Sequence, residues 1–286
     1  MIRTISANGL TLPVLGQGGW HIGDSAQKAR NEIAALRLGI ELGMTLIDTA
    51  EMYGEGKSEQ IIGKALAGLN RTDYQLVSKV YPHNAGRRNI FASCDASLKR
   101  LKTDYLDLYL LHWRGSVPLE ETVECMENLV QAGKIKRWGV SNFDTSDMEE
   151  LWAIPSGRNC AVDQVLYNLG SRGIEYDLIS WLAAREVAVM AYCPLAQAGT
   201  LRRMSYDFKR DPVLAAISTK YNISVTQLML AFVLRRDNVI AIPKSGSITH
   251  TRENAEALSL SIAEEDWREI DKVYLPPSAK MILDME

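Results

Sequence analysis

Apolar residues along this chain follow two rhythms that alternate. Short apolar runs such as Leu46-Ile47, Leu76-Val77 and Leu108-Tyr109-Leu110-Leu111 are separated by longer stretches with helical spacing. Residues 2–6 and 11–13 read as a hairpin turning at Asn8-Gly9, a strong turn pair. Val14 to Trp20 reads as a short strand entering a glycine-rich loop. Further strands are expected over 45–48, 75–79, 106–112, 135–141, 161–164, 187–191 and 239–242. Helices are expected over 26–42, 58–69, 90–101, 119–131, 145–152, 175–185, 212–220, 225–235 and 249–257. In the first of these Ile33, Leu36 and Ile40 share a face, and Gly43 is suited to the C′ position. Ser261-x-x-Glu264 has a capping-box pattern ahead of a final helix carrying Trp267 and Ile270.

Eight short strands alternate with helices at roughly thirty-residue intervals, the size of one βα unit. That alternation implies a parallel sheet covered on both faces, and eight repeats favour closure. The expected fold class is therefore α/β: a (β/α)8 TIM barrel with an N-terminal β-hairpin and extra C-terminal helices. No Pro/Ser-rich linker or low-complexity tract interrupts the 286 residues, so residues 1–286 read as a single domain. A dinucleotide-binding open sheet would need GxGxxG between its first strand and helix; Gly16-Gln17-Gly18-Gly19 does not keep that spacing.

Composition narrows the setting. A formal net charge of -3 argues against nucleic acid as the main partner. Cys94, Cys125, Cys160 and Cys193 are far apart and form no metal-binding pattern, which suits a reducing compartment. The N-terminus does not read as a signal peptide, and no apolar run is long enough for a membrane span. The expectation is a soluble cytoplasmic protein, with monomer as the default in the absence of coiled-coil heptads.

The chemistry collects at the strand ends, where a barrel of this kind builds its active site. Trp20, Asp48, Lys79, His112, Ser141-Asn142, Gln164, Tyr192 and Lys244-Ser245 follow successive strands. Each has an ordinary reading alone. Asp48 could be a loop or capping acid, Lys79 a solvent-reaching cation, His112 a satisfied core histidine and Tyr53 a loop aromatic. Together they support one another. A lysine entering a barrel mouth needs an anion, and Asp48 on the neighbouring strand supplies it. An ammonium beside Tyr53 would lower the phenol's pKa, and His112 could hydrogen-bond a carbonyl oxygen.

Asp48, Tyr53, Lys79 and His112 in this order resemble the catalytic tetrad of the aldo-keto reductases. The resemblance extends over Gly43-x-x-x-Ile47-Asp48-Thr49-Ala50-x-x-Tyr53-Gly54, Leu106-Asp107-Leu108-Tyr109, Gly139-Val140-Ser141-Asn142-Phe143 and Ile242-Pro243-Lys244-Ser245. It implies NADPH-dependent reduction of an aldehyde or ketone. Tyr53 would be the general acid, Lys79 paired with Asp48 its tuner, and His112 the orienter of the carbonyl. No metal is implied. A redox-sensing regulatory subunit that binds NADPH is the alternative within the fold. A glycoside hydrolase would need two carboxylates across the barrel, and only Asp48 stands at a strand end.

The same resemblance implies the cofactor contacts. Gly19, Trp20, Asp48, Ser141, Asn142, Gln164 and Tyr192 would meet the nicotinamide end. Pro194, Leu195 and Gln197 belong to the loop over the pyrophosphate. Ile242, Lys244, Ser245, Gly246 and Ser247 lead into a helix whose N-terminus suits the adenosine 2′-phosphate. His250, Arg252, Glu253 and Asn254 complete the set. Many NADPH-preferring relatives carry an arginine where this chain has His250. Arg252 is two positions on and so turned about 200° around the helix. NADPH is expected, with NADH use possible. Trp20, Tyr53, His112 and Trp113 would line the substrate pocket. Arg114 and the Tyr81–Arg88 loop would add positive charge near the mouth. The short tail after Trp267 implies an open pocket and broad specificity. The chain looks most similar to bacterial members that reduce small reactive aldehydes such as methylglyoxal.

Overall fold

The structure, a computed structural model, describes residues 3–196, 200–201 and 206–286. Strands β1 (Thr4–Ala7) and β2 (Leu10–Pro13) pair antiparallel around the Asn8-Gly9 turn. Six strands then follow in neighbour order: β3 (Gln17–Gly18), β4 (Leu46–Asp48), β5 (Gln75–Val80), β6 (Leu106–Leu111), β7 (Ile135–Ser141) and β8 (Val162–Leu166). Next come β9 (Ala188–Tyr192), a small antiparallel pair β10 (Thr200–Leu201) and β11 (Tyr206–Asp207), and β12 (Val239–Ala241). The sheet runs β12-β9-β8-β7-β6-β5-β4-β3, every neighbour parallel.

Its two outer strands meet. Leu15 bridges to Ala241 and Gly18 to Lys244. The Gly16 N–H donates to Ala241 O at 2.9 Å, the Ala241 N–H to Val14 O at 2.8 Å and the Gly18 N–H to Pro243 O at 3.0 Å. These bonds close the (β/α)8 barrel. They also explain why β3 is shorter than the apolar run around it: Val14 and Leu15 pair across the seam rather than along a regular ladder.

The helices are α1 (Ala29–Glu41), α2 (Lys57–Ala65), α3 (Ile90–Leu101), α4 (Leu119–Gln131), α5 (Thr145–Ala153), α6 (Leu178–Ala183), α7 (Pro212–Tyr221), α8 (Val225–Leu234), α9 (Ile248–Glu256) and α10 (Glu264–Val273). Gly43 closes α1 as expected, with φ of 89° and its N–H on Ile40 O at 2.9 Å. A lone left-handed residue here is what glycine supplies without a Cβ clash.

Two expectations differ at helix ends. The helix expected over 175–185 is shorter because Gly173–Glu175 is a 3-10 turn, and Glu175 is held by the buried guanidinium of Arg172 at 2.7 Å. The capping box at Ser261 and Glu264 does not form. The N-cap of α10 is Ala263, and its N–H donates instead to the Tyr221 hydroxyl at 2.9 Å. A tertiary acceptor replaces the local one.

Alternation along β5 sets the site. Ser78 faces outward and donates to Glu59 of α2 at 2.6 Å. Lys79, its neighbour, therefore points into the barrel, where it is wholly buried. Among the described residues no helix is long and apolar enough to cross a membrane, and no His/Cys/Asp/Glu group could hold a metal.

Candidate active site

The ends of β4 and β5 bring an acid, a lysine and a phenol into one hydrogen-bonded chain. Lys79 Nζ donates to Asp48 Oδ2 at 2.7 Å, to Thr49 O at 3.0 Å and to Tyr53 Oη at 2.9 Å. All three ammonium protons are thus used, which is the pattern of a charged lysine. Gln164 Nε2 holds the other oxygen of Asp48 at 2.8 Å. Burial alone would draw the Asp48 carboxyl up and the Lys79 ammonium down; their mutual attraction and hydrogen bonds oppose both shifts.

Burial, with the Asp48 charge second, raises the Tyr53 phenol well above its usual value. This corrects the expected lowering. Desolvation of the buried phenol outweighs the help of the Lys79 ammonium at 2.9 Å, and the Asp48 carboxylate adds to the rise. Lys79 already fills one lone pair of Tyr53 Oη, and the phenolic proton is left for a substrate.

His112 stands edge-on to Tyr53 with ring centroids 5.7 Å apart. Burial and the Lys79 charge push its pKa down to about 2, so the ring is neutral. Its Nδ1 is buried without a hydrogen-bond partner. A bare acceptor there costs less than an unpaired N–H, which favours the tautomer with the proton on Nε2. Trp20 packs edge-on to Tyr53 at 4.7 Å and Trp113 tilts against His112 at 4.8 Å. The aromatic wall continues into Tyr81, edge-on to Trp113 at 5.9 Å, and His83, stacked on Tyr81 at 4.9 Å. Glu51 fixes that loop by accepting from the Tyr81 N–H at 2.8 Å and Asn84 Nδ2 at 3.1 Å.

A second feature lies at the starts of α1 and α9. There a cleft of about 320 Å³ is lined by Lys28, Asn31, Glu32, Lys244, Gly246, Ser247 and His250. Residues 14–275 match the Aldo/keto reductase family. The chain belongs to that family.

Methylglyoxal reductase YeaE of Escherichia coli K12 is 52% identical over 276 residues, 96% of each chain. Glyoxal reductase of Bacillus subtilis is 32% identical, over 92% of this chain and 90% of its own. A Klebsiella pneumoniae aldo/keto reductase solved with NADP and acetate superposes with a TM-score of 0.95 at 49% identity, covering 100% of both chains. An aldo-keto reductase of Klebsiella pneumoniae solved with NADPH gives the same TM-score, 0.95, at 49% identity. This chain is accordingly an oxidoreductase of the aldo/keto reductase family.

The structure distributes the expected cofactor residues unevenly. Lys244, Gly246, Ser247 and His250 line the cleft. Its far end fits a phosphate. Ser247 caps α9 without a side-chain hydrogen bond, and no acid lies in the first turn. A Cβ on Gly246 would sit 3.3 Å from both Lys244 Nζ and the Glu32 side chain, so this glycine keeps the cradle open. The Ser245 hydroxyl shapes the turn by donating to Ser247 O at 2.9 Å. Ile242 and Asn254 are buried. Glu253 gives its backbone carbonyl to Gln227 at 3.2 Å. Arg252 does not line the cleft and is exposed on α9, because its position turns away from the N-terminal wall.

At the nicotinamide end Ser141 donates to Gln164 O at 2.7 Å. Tyr192 donates to Asn142 Oδ1 at 2.9 Å, and Asn142 Nδ2 donates to His112 O at 3.2 Å. The side-chain N–H₂ of Gln164 is committed to Asp48, leaving its Oε1 without a protein hydrogen bond among the described residues. Gly19 sits where a Cβ would come within 2.6 Å of Asp48 O, a packing reason for glycine. Pro194 is buried and Leu195 half-buried beyond β9; Gln197 lies outside the described residues.

Two expectations about the mouth need revision. Arg114 is neutralised by Glu150 at 2.7 Å and Arg87 is paired with Glu124 at 2.5 Å, so of the expected cations only Arg88, exposed and in no ion pair among the described residues, keeps its charge free. Nor is the tail absent from the mouth. Asp284 accepts from Ser171 at 2.7 Å, Lys280 binds Asp177 at 2.8 Å, and the Glu286 N–H reaches the Tyr192 hydroxyl at 3.3 Å. The tail is short but folds back over the ends of β8 and β9. Sequence reasoning missed this strap, together with Lys28 and Glu32, since nothing local marks them.

Proposed function

We propose that this chain is an NADPH-dependent reductase of small aldehydes and ketones, working as one barrel over residues 1–286. Tyr53 is the general acid, Lys79 and Asp48 hold it, and His112 orients the carbonyl. The observation that carries this reading is the Asp48–Lys79–Tyr53 chain, which fixes the phenolic oxygen and frees its proton. When bound, the reduced nicotinamide supplies the hydride. Ser141, Asn142, Gln164 and Tyr192 would hold its carboxamide end; Ile242, Lys244, Ser245, Gly246, Ser247 and His250 would hold the adenosine end.

The chain's own contribution is positional and electrostatic. His112 Nε2–H donates to the carbonyl oxygen without bringing a charge of its own. Tyr53 passes its proton to that oxygen as negative charge builds there, and the fixed Lys79 ammonium stabilises the phenolate left behind. Trp20 and Trp113 wall the site and limit water. Methylglyoxal, the substrate in the name of the 52% identical relative, is the small carbonyl compound proposed for this aromatic-walled site. Four free cysteines among the described residues suit a reducing compartment such as the cytoplasm.

The test follows loss of NADPH absorbance across a panel of aldehydes that includes methylglyoxal. Tyr53→Phe removes only the hydroxyl. It is expected to lower kcat at least about 10²-fold, the scale of a lost general acid, while NADPH Kd stays within about twofold. Turnover undiminished in Tyr53→Phe would reject the acid assignment. A wild-type protein that binds NADPH and reduces no aldehyde would favour a redox-sensing subunit instead.

A further inference from the structure

The adenosine end of the cleft has two walls, and only one was expected. The α9 wall offers Lys244, Ser247, His250 and the helix N-terminus, with Lys244 its one lysine or arginine. The other wall is the start of α1. Its approach is shaped by local bonds: the Lys28 N–H donates to Ser25 O at 3.0 Å, and the Gly23 N–H donates to Glu32 Oε2 at 3.0 Å. These bring Lys28 and Asn31 to face Lys244 and His250 across the cleft. Lys28 is exposed and has no acid partner among the described residues. Arg252 is outside the cleft.

Charge counting shows what this wall changes. Lys244 alone is offset by the buried carboxylate of Glu32, which lies across Gly246 from it. With Lys28 the cleft holds two ammonium groups against one carboxylate. The N-terminus of α9 adds about half a positive charge. A phosphate monoester carries about -1.5 to -2 near neutral pH, whereas the ribose hydroxyl of NADH carries none. The cleft's excess positive charge therefore has a partner only in the phosphorylated cofactor.

We propose that Lys28, the N-cap residue of α1, supplies the second cation for the adenosine 2′-phosphate and thereby sets the preference for NADPH over NADH. This rests on the cofactor reading above. Lys28 adds from the opposite wall a cation that the α9 wall supplies only once, and Asn31 adds a neutral donor beside it.

Isothermal titration with adenosine 2′,5′-bisphosphate and adenosine 5′-monophosphate separates the two ideas. The wild type should bind the bisphosphate more tightly than the monophosphate. Lys28→Ala should weaken the bisphosphate about three- to tenfold, the scale of one charge-assisted contact near solvent, and leave the monophosphate unchanged. Lys28→Arg should restore it. Bisphosphate binding unaltered in Lys28→Ala but weakened in Lys244→Ala would overturn the role of Lys28 and leave the cofactor reading intact. Equal affinity of the wild type for the two nucleotides would overturn the cofactor reading and this inference with it.

Discussion

Three hydrogen bonds from one ammonium group decide what Tyr53 can do. Because Lys79 donates to Asp48, Thr49 and Tyr53 at once, it has no proton to spare and no freedom to turn. The pair is fully buried, so removing either charge would strand the other at a cost of about 3–5 kcal/mol. Tyr53, which carries no charge, is the cleaner residue to change. The titration behaviour follows from the same geometry. Burial raises Tyr53, so the acid stays protonated well into the alkaline range, while burial and Lys79 hold His112 at about 2, so it never charges near neutrality. The kcat/KM of carbonyl reduction should therefore be flat from about pH 5 to 9 and fall only above that, since phenols titrate near 10 or higher. A descending limb centred near pH 7 in stopped-flow or steady-state profiles would show that an imidazolium, not the phenol, gives the proton.

At the scale of elements, the junction of β8 with α5 holds an acid that the chemistry does not use. Asp163 precedes Gln164 on the strand and so faces outward, where it is completely buried with no cation and no well-formed hydrogen bond among the described residues, the Phe143 N–H being its one weak polar neighbour. Desolvation raises its pKa well above 3.8; the nearby Phe143 N–H opposes this, while Asp147 and Asp144 add to it. The sign follows directly. The native state binds one more proton than the unfolded chain from about pH 4 up to the folded pKa, so stability falls as pH rises through that window. Asp163→Asn keeps the shape without the titration. It should be more stable than wild type by about 1–3 kcal/mol at pH 8, and the advantage should vanish near pH 4 in urea unfolding. A gap that does not change with pH would mean that Asp163 is already ionised in the folded protein. The helices show the same interplay of local and distant partners. Ser224 and Gln227 build a capping box within one turn, whereas Ala263 waits for Tyr221 from another helix.

Over the whole molecule, the seam between β3 and β12 is the feature on which the site depends. It joins the first strand, next to Trp20, to the last, next to Lys244, and so ties the two ends of the cofactor groove. Gly18 lies in that seam with Ile242 O only 2.7 Å from where a Cβ would be. Gly18→Val should cost at least about 3 kcal/mol of unfolding free energy, because a backbone carbonyl cannot move aside as a side chain can. Cofactor affinity should fall with it. A urea midpoint equal to the wild type's would show that the barrel closes without this contact. The tail works at the same scale. Lys280 and Asp284 reach the loops after β7 and β8, and Glu286 reaches the end of β9, a placement no local pattern encodes.

The sequence alone determined the βα alternation, the barrel and the four residues at its second, third and fourth strand ends. Apolar periodicity, turn residues and strand-end polarity are local, and each is written within a few positions of the residue it describes. Only the tertiary structure decided which polar partners meet. Gln164 steadies Asp48 across 116 positions of chain, and Lys28 faces Lys244 because α1 and α9 become neighbours when the barrel closes. It also decided the sign of the Tyr53 shift, since desolvation depends on everything packed around the phenol and not on the lysine beside it. Contacts between distant segments, and the burial they create, are the physical quantities that a linear pattern does not carry.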